Sequence, residues 1–154
     1  MGSLDEIDIH LIEILQRKGR TRRNELAEAV KLSIPSVSER LRKLEEHGVI
    51  VGYCAYLDPK KVGIDITAFI TVTVDSSKHY DSFLTHTQES DEILEVHSVT
   101  GTGTHLLKVR TATTSTLEKL LAKIQAWNGV TQTTTSIVLS TTKETFVLKI
   151  KPTK

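Results

Sequence analysis

Several things this sequence lacks narrow its function early. It has one cysteine, Cys54, which excludes an internal disulfide framework and fits a reducing, cytoplasmic location. Cys54 lies in the apolar run VIVGYCAYL, where it reads as a small packing residue rather than a nucleophile. No apolar run approaches the ~18 residues that span a bilayer, so no membrane partner is expected. The first nine residues are acidic and carry no basic-then-apolar signal pattern. Metal-ligand spacing is missing too. The six histidines, His10, His47, His79, His86, His97 and His105, are scattered, so no metal is expected. Nor is there a nucleophile elbow or other catalytic serine motif. The formal net charge is only +1, and taken globally it points to no particular partner.

What is present falls into two halves within 154 residues, 38% of them apolar. Each half can form only a small core, so association between chains is an expected source of stability. In the first half, Ile7, Leu11, Ile14 and Leu15 form one helical stripe over about residues 5–17. Asp5, Glu6 and Asp8 stand at its start, where the helix dipole favours anions, and Gly19 ends it. Thr21 is a candidate N-cap for a second helix carrying Leu26, Ala27 and Val30. After the short turn KLS, Ser33 caps a third helix with Pro35 in its first turn. Val37, Leu41 and Leu44 form its buried stripe, and Gly48 stops it. VIVGYCAYL follows as one or two extended segments broken at Gly52, a β wing.

Beyond Asp58-Pro59 the period changes. ITAFITVTV, residues 66–74, alternates with period two and reads as a strand with one buried face. Tyr80, Phe83 and Leu84 mark a helix of about three turns. ILEVHSVT and HLLKVRTA read as a hairpin, and Leu117, Leu120, Leu121 and Ile124 as a second helical stripe. TTTSIVLS reads as a further strand and TFVLKI as a last edge strand. The order βαββαβ predicts a ferredoxin-like sandwich. The fold class is therefore α+β, with domains expected at 1–58 and 59–154.

Charge is uneven in the first half. Between Arg17 and Lys43 stand nine cations and three carboxylates, a local excess of +6 that suits a phosphate backbone. With Val37, Leu41 and Leu44 turned inward, the third helix presents Pro35, Ser36, Glu39, Arg42 and Lys43, with Ser38 and Arg40 on its shoulders. Hydroxyls near the start and long cations further on suit a helix entering the major groove by its N-terminus. Arg22 and Arg23 are placed for backbone contacts, which position a protein without reading sequence. Read alone, the same pattern also describes a solvated amphipathic helix.

The stretch VTGTGTHLL, residues 99–107, has the letters of a phosphate cradle. It opens a strand and not a helix, so no helix dipole backs it. Gly101 and Gly103 equally suit a turn with positive φ.

The first half, from LDEIDIHLIEIL through SIPSVSERLRKLEEHGVIVGY to LDPKKVG, resembles the N-terminal domain of the Lrp/AsnC family of transcription regulators. The second half resembles that family's ligand-sensing domain through "V.G....LLKV" and the region GVTQTTTSIVL. The resemblance implies a winged helix-turn-helix joined to a βαββαβ ligand-sensing domain. It implies double-stranded DNA as partner, and homodimers formed through the sheets and often grouped as a tetramer of dimers, a homo-octamer. It also implies an amino acid or related metabolite as effector, with no cofactor. By position, Ser33, Ser36, Glu39, Arg40, Arg42 and Lys43 fall on the family's recognition helix. Arg40 suits either DNA or a structural salt bridge, and Glu39 either a cytosine amino group or solvent. Gly101, Thr102, Gly103, Thr104 and His105 align with the family's effector loop, and Thr133 and Thr135 with threonines of its last strand. Thr104 stands where the family usually has an acid, and a neutral hydroxyl cannot supply the charge that pairs with an ammonium. Siroheme decarboxylases share this architecture and are the enzymatic alternative. They need no basic DNA-facing surface.

Overall fold

The computed structural model describes residues 4–151. The termini of the two expected domains, 1–3 and 152–154, lie outside the described residues. Two compact units form: Met1–Tyr56 with Lys143–Lys154, and Leu57–Thr142. Residues 143–151, grouped with the second domain in the sequence reading, thus cluster with the first unit.

The first unit is built on three helices. Helix α1, Glu6–Arg17, starts in a reciprocal cap. The Asp8 N–H donates to the Asp5 carboxylate at 2.8 Å, and the Asp5 N–H donates to Asp8 at 3.4 Å. Helix α2, Arg23–Val30, starts from Arg22 with no side-chain cap. The expected cap, Thr21, instead donates its hydroxyl to the Lys18 carbonyl at 2.6 Å and so closes the turn leaving α1. Lys31 ends α2 in the left-handed region, at φ 54°. Helix α3, Ile34–Glu46, is capped by Ser33, whose hydroxyl accepts from the Ser36 N–H. Leu11, Leu26, Val37, Leu41 and Leu44 are buried together at the centre of the bundle, as their 3.6-residue spacing requires.

The segment after α3 departs from expectation. Val49 and Ile50 pack on the helical core, but residues 51–58 form no strand, and Cys54 is exposed rather than packed. TFVLKI is not a strand either. Its backbone is held by a side chain: Gln16 Nε2 donates to the Leu148 carbonyl at 3.1 Å, and the Leu148 N–H donates back to Gln16 Oε1 at 2.6 Å. Tyr56 meets Phe146 edge-on at 5.6 Å and donates its hydroxyl to Glu144. Side-chain contacts thus replace the ladder that the apolar pattern suggested. A strand needs a neighbouring edge, and among the described residues these segments pair with none.

The second unit is an antiparallel sheet in the order β2-β3-β1-β4. Strand β1 is Ile66–Val74, β2 Ile93–Ser98, β3 His105–Thr111 and β4 Val130–Ile137. Helix α4, Tyr80–Gln88, follows a 3-10 turn at Ser77–His79 and is shorter than three turns. Helix α5 is Thr114–Gln125. The sequence order is βαββαβ, as expected. Strand β4 begins earlier and ends earlier than TTTSIVLS, because its pairing with β1 runs from Val74↔Val130 to Ala68↔Ile137 and β1 itself is nearly spent there. Ala68, Ile70, Val72, Phe83, Leu107, Leu120 and Ile124 form the core between sheet and helices.

Candidate nucleic-acid interface and effector loop

Helix α3 presents its N-terminus to solvent. Ser33, Ile34, Pro35 and Ser36 are all exposed, and the Ser33 and Ser36 hydroxyls share a hydrogen bond of 2.8 Å. Ile34 was not singled out from the sequence. Its spacing puts it in line with Leu41, yet it is 48% exposed because it sits in the first turn of α3, so helical periodicity gave no signal of its exposure. Arg22 and Arg23, at the start of α2, are exposed as expected.

The cations of α3 do not share one role. Arg40 Nη1 donates to Asp5 and to Asp8 at 2.7 Å each, so it ties α3 to the N-terminal cap of α1. Of its two sequence readings, the salt bridge is the one the structure forms. The two carboxylates hold the Arg40 guanidinium above its ordinary pKa. Burial pushes the Asp5 carboxyl up, but hydrogen bonds from the Asp8 backbone and Arg40 outweigh it and leave Asp5 low.

Arg42 points outward and is clasped within its own helix. Its Nε and Nη2 donate to Glu39 at 2.8 and 2.7 Å, and Nη1 donates to Glu46. Lys43 Nζ lies 3.8 Å from the same Glu39. Hydrogen bonds from Arg42 hold the Glu39 carboxyl below its usual range. Across Ile34–Glu46 the three cations Arg40, Arg42 and Lys43 meet the three carboxylates Glu39, Glu45 and Glu46, so α3 is electrically neutral. The positive excess resides instead between Arg17 and Lys31, around the start of α2. At the far end of α3, Tyr53 donates its hydroxyl to Glu45 at 2.9 Å. Burial, then Glu45, pushes the Tyr53 phenol up to about 12.

In the second unit, VTGTGTHLL forms the β2–β3 hairpin loop. Gly101 and Gly103 both have positive φ, 104° and 80°, but only Gly103 is also crowded. A Cβ there would lie 2.4 Å from Thr71 Cγ2. Thr104 faces the sheet. Its backbone N–H donates to the Val72 carbonyl at 2.9 Å, and its hydroxyl accepts from the Val74 N–H at 3.0 Å. That hydroxyl also lies 3.2 Å from the Val72 carbonyl and 2.9 Å from His105 Nδ1. It has one proton and two acceptor sites. All three contacts are satisfied when it donates to Val72 and accepts from Val74 N–H and His105 Nδ1–H. Thr104 therefore patches β1 where its register with β4 shifts, between Thr73 and Val74.

His105 turns away from the loop into the core, 1% exposed. Tyr80 meets it edge-on at 5.0 Å and Phe83 lies at 4.7 Å. Its Nε2 is buried without a hydrogen-bond partner, and burial lowers its pKa. Thr133 and Thr135 stand opposite Val72 and Ile70 on β4, and Thr133 accepts from Gln125 Nε2 at 2.9 Å. The structure thus leaves Gly101 and Thr102 exposed at the loop tip and commits Thr104, His105 and Thr133 to internal contacts. Among the described residues no group of three or more His, Cys, Asp or Glu could hold a metal ion. No helix among them is long and apolar enough to cross a membrane.

Comparison with known proteins fits both units. Residues 4–51 match the winged helix-turn-helix DNA-binding family, and residues 67–148 match the Lrp/AsnC ligand binding domain. The chain is 39% identical over 148 residues to the HTH-type transcriptional regulator FL11 of Pyrococcus horikoshii, covering 96% of this chain and 97% of that protein. It is 35% identical over 151 residues to the leucine-responsive regulatory protein of Escherichia coli, covering 96% and 92%. Among solved structures, a transcriptional regulator of Neisseria meningitidis in complex with L-Met matches with a TM-score of 0.90 at 30% identity, covering 95% of this chain and 96% of that one.

Proposed function

The chain belongs to the Lrp/AsnC family of transcriptional regulators, and we propose from that premise how its own residues serve the task. It is a DNA-binding transcriptional regulator whose second half is a ligand-binding domain. The N-terminal end of α3 enters the major groove, with Ser33, Ile34 and Ser36 leading and Arg42 and Lys43 following. Ile34 suits the methyl group of a thymine. Arg22 and Arg23 meet phosphates. The exposed, hydroxyl-lined start of α3 is the observation that carries this reading.

Selection from a random duplex library with the full chain tests it. Arg42→Ala and Lys43→Ala are expected to weaken binding to the enriched duplex at fixed salt. Arg22→Ala is expected to weaken all duplexes alike and to reduce the salt slope by about one. Parent-like binding by the Arg42 and Lys43 variants would remove α3 from the interface.

The effector loop suits a small carboxylate. The exposed Gly101 and Thr102 leave backbone amides open to an anion, whereas Thr104 brings no charge to an ammonium. A thermal-shift series comparing amino acids with the matching 2-oxo acids tests this. Equal stabilisation by both is expected; stabilisation by amino acids alone would require an acid elsewhere. The assembly is a homodimer, further grouped as a tetramer of dimers. The sheet face away from the helices supports it, since Phe69 stands 38% exposed there.

A further inference from the structure

We propose that Glu39 is a positioning residue for DNA specificity: it holds the Arg42 guanidinium ready for a guanine edge while cancelling the charge that would bind any phosphate. The proposal rests on α3 being the groove-facing helix. Arg42 has five N–H groups. Glu39 takes Nε and one hydrogen of Nη2, at 2.8 and 2.7 Å, and Glu46 takes one of Nη1. One hydrogen remains on each terminal nitrogen, which is what a bidentate contact to guanine O6 and N7 uses. The side chain is held by three charge-assisted bonds, so less rotamer freedom is lost when it meets a base.

The second half of the argument is electrostatic. Non-specific affinity comes from neutralised phosphates, and a neutral α3 contributes little to it. That term is left to the Arg17–Lys31 region. Glu39 touches both outward cations of α3, Arg42 directly and Lys43 at 3.8 Å. Arg40 is already committed to Asp5 and Asp8. Removing the Glu39 carboxylate therefore frees Lys43 and leaves Arg42 held by Glu46 alone.

The test compares the full-length parent with Glu39→Gln, Arg42→Ala and a charge control, Glu28→Gln, an exposed site on α2. Each is titrated with the duplex enriched from a random library and with the unselected library, at one salt concentration and across a salt series. Glu39→Gln is expected to bind the unselected library several-fold more tightly with a steeper salt slope. It should also lose about tenfold in preference for the enriched duplex. That loss should fall at the same base pair where Arg42→Ala loses discrimination. Glu28→Gln should tighten both duplexes equally. Glu39→Gln behaving like Glu28→Gln, or losing preference at a base pair Arg42 does not read, overturns the proposal. A parent that enriches no sequence overturns the interface reading beneath it and this proposal with it.

Discussion

Thr104 occupies a position where a charge would be costly. Its hydroxyl sits between the Val72 carbonyl, the Val74 N–H and His105, a site whose contacts a neutral donor-acceptor satisfies in full. The buried His105 beside it makes stability pH-dependent. Its folded pKa is lowered by burial, so the unfolded chain binds the proton more readily. Its contribution is fully present above the ordinary value of 6.5 and falls as pH drops below that toward the lowered folded value. Denaturant titrations between about pH 7 and about pH 5 should show stability declining in the parent, and declining less in His105→Leu. Asp5 and Glu39, whose pKa values are lowered, act in a separate window. Their contributions are present above the ordinary carboxylate values and are lost as pH falls through the lowered ones. Gly103→Ala is expected to cost about 1–3 kcal/mol, because its φ is 80° and the new Cβ meets Thr71. Gly101→Ala, which meets nothing within 4 Å, should cost less in the same melts.

At the scale of elements, α3 shows what a helical pattern conveys and what it withholds. The spacing of Val37, Leu41 and Leu44 and the cap at Ser33 are local, and they appear in the structure as read. The assignment of its arginines is not local: Arg40 and Arg42 are two positions apart, yet one is drawn to α1 and the other to its own helix. Arg40→Ala should lower stability by about 1–2 kcal/mol, since a charge-assisted bond to the partly buried Asp8 exceeds an ordinary surface pair. It should leave base preference at the Arg42-read position unchanged, and melts and duplex titrations of the same protein would show whether the roles separate. Thr21 and Arg22 teach the same lesson at α2. The hydroxyl that pattern alone assigns to capping is claimed by the Lys18 carbonyl.

Across the whole molecule, two separate cores carry two tasks. Leu11→Ala in the helical unit should cost about 2–5 kcal/mol and weaken DNA binding while the oligomer persists. Phe83→Ala in the sheet unit should cost about 3–5 kcal/mol. Phe69→Asp places a charge on the open sheet face and should shift the assembly toward monomer by light scattering. An unchanged mass would assign the interface to another surface.

Periodicity, caps and turn glycines depend only on near neighbours in the chain. They made the three helices, the β1 pattern and the βαββαβ order legible in the sequence. Tertiary structure decided what depends on reach. It turned Cys54 outward, left 51–58 and TFVLKI without a ladder, and spent the Thr104 hydroxyl on β1. It also drew Arg40 to Asp5, thirty-five positions away, while Arg42 paired with Glu39 three positions away in its own helix. A strand edge, a hydroxyl or an arginine takes whichever partner the fold brings within 3 Å, and where that partner is distant in the chain no local pattern names it.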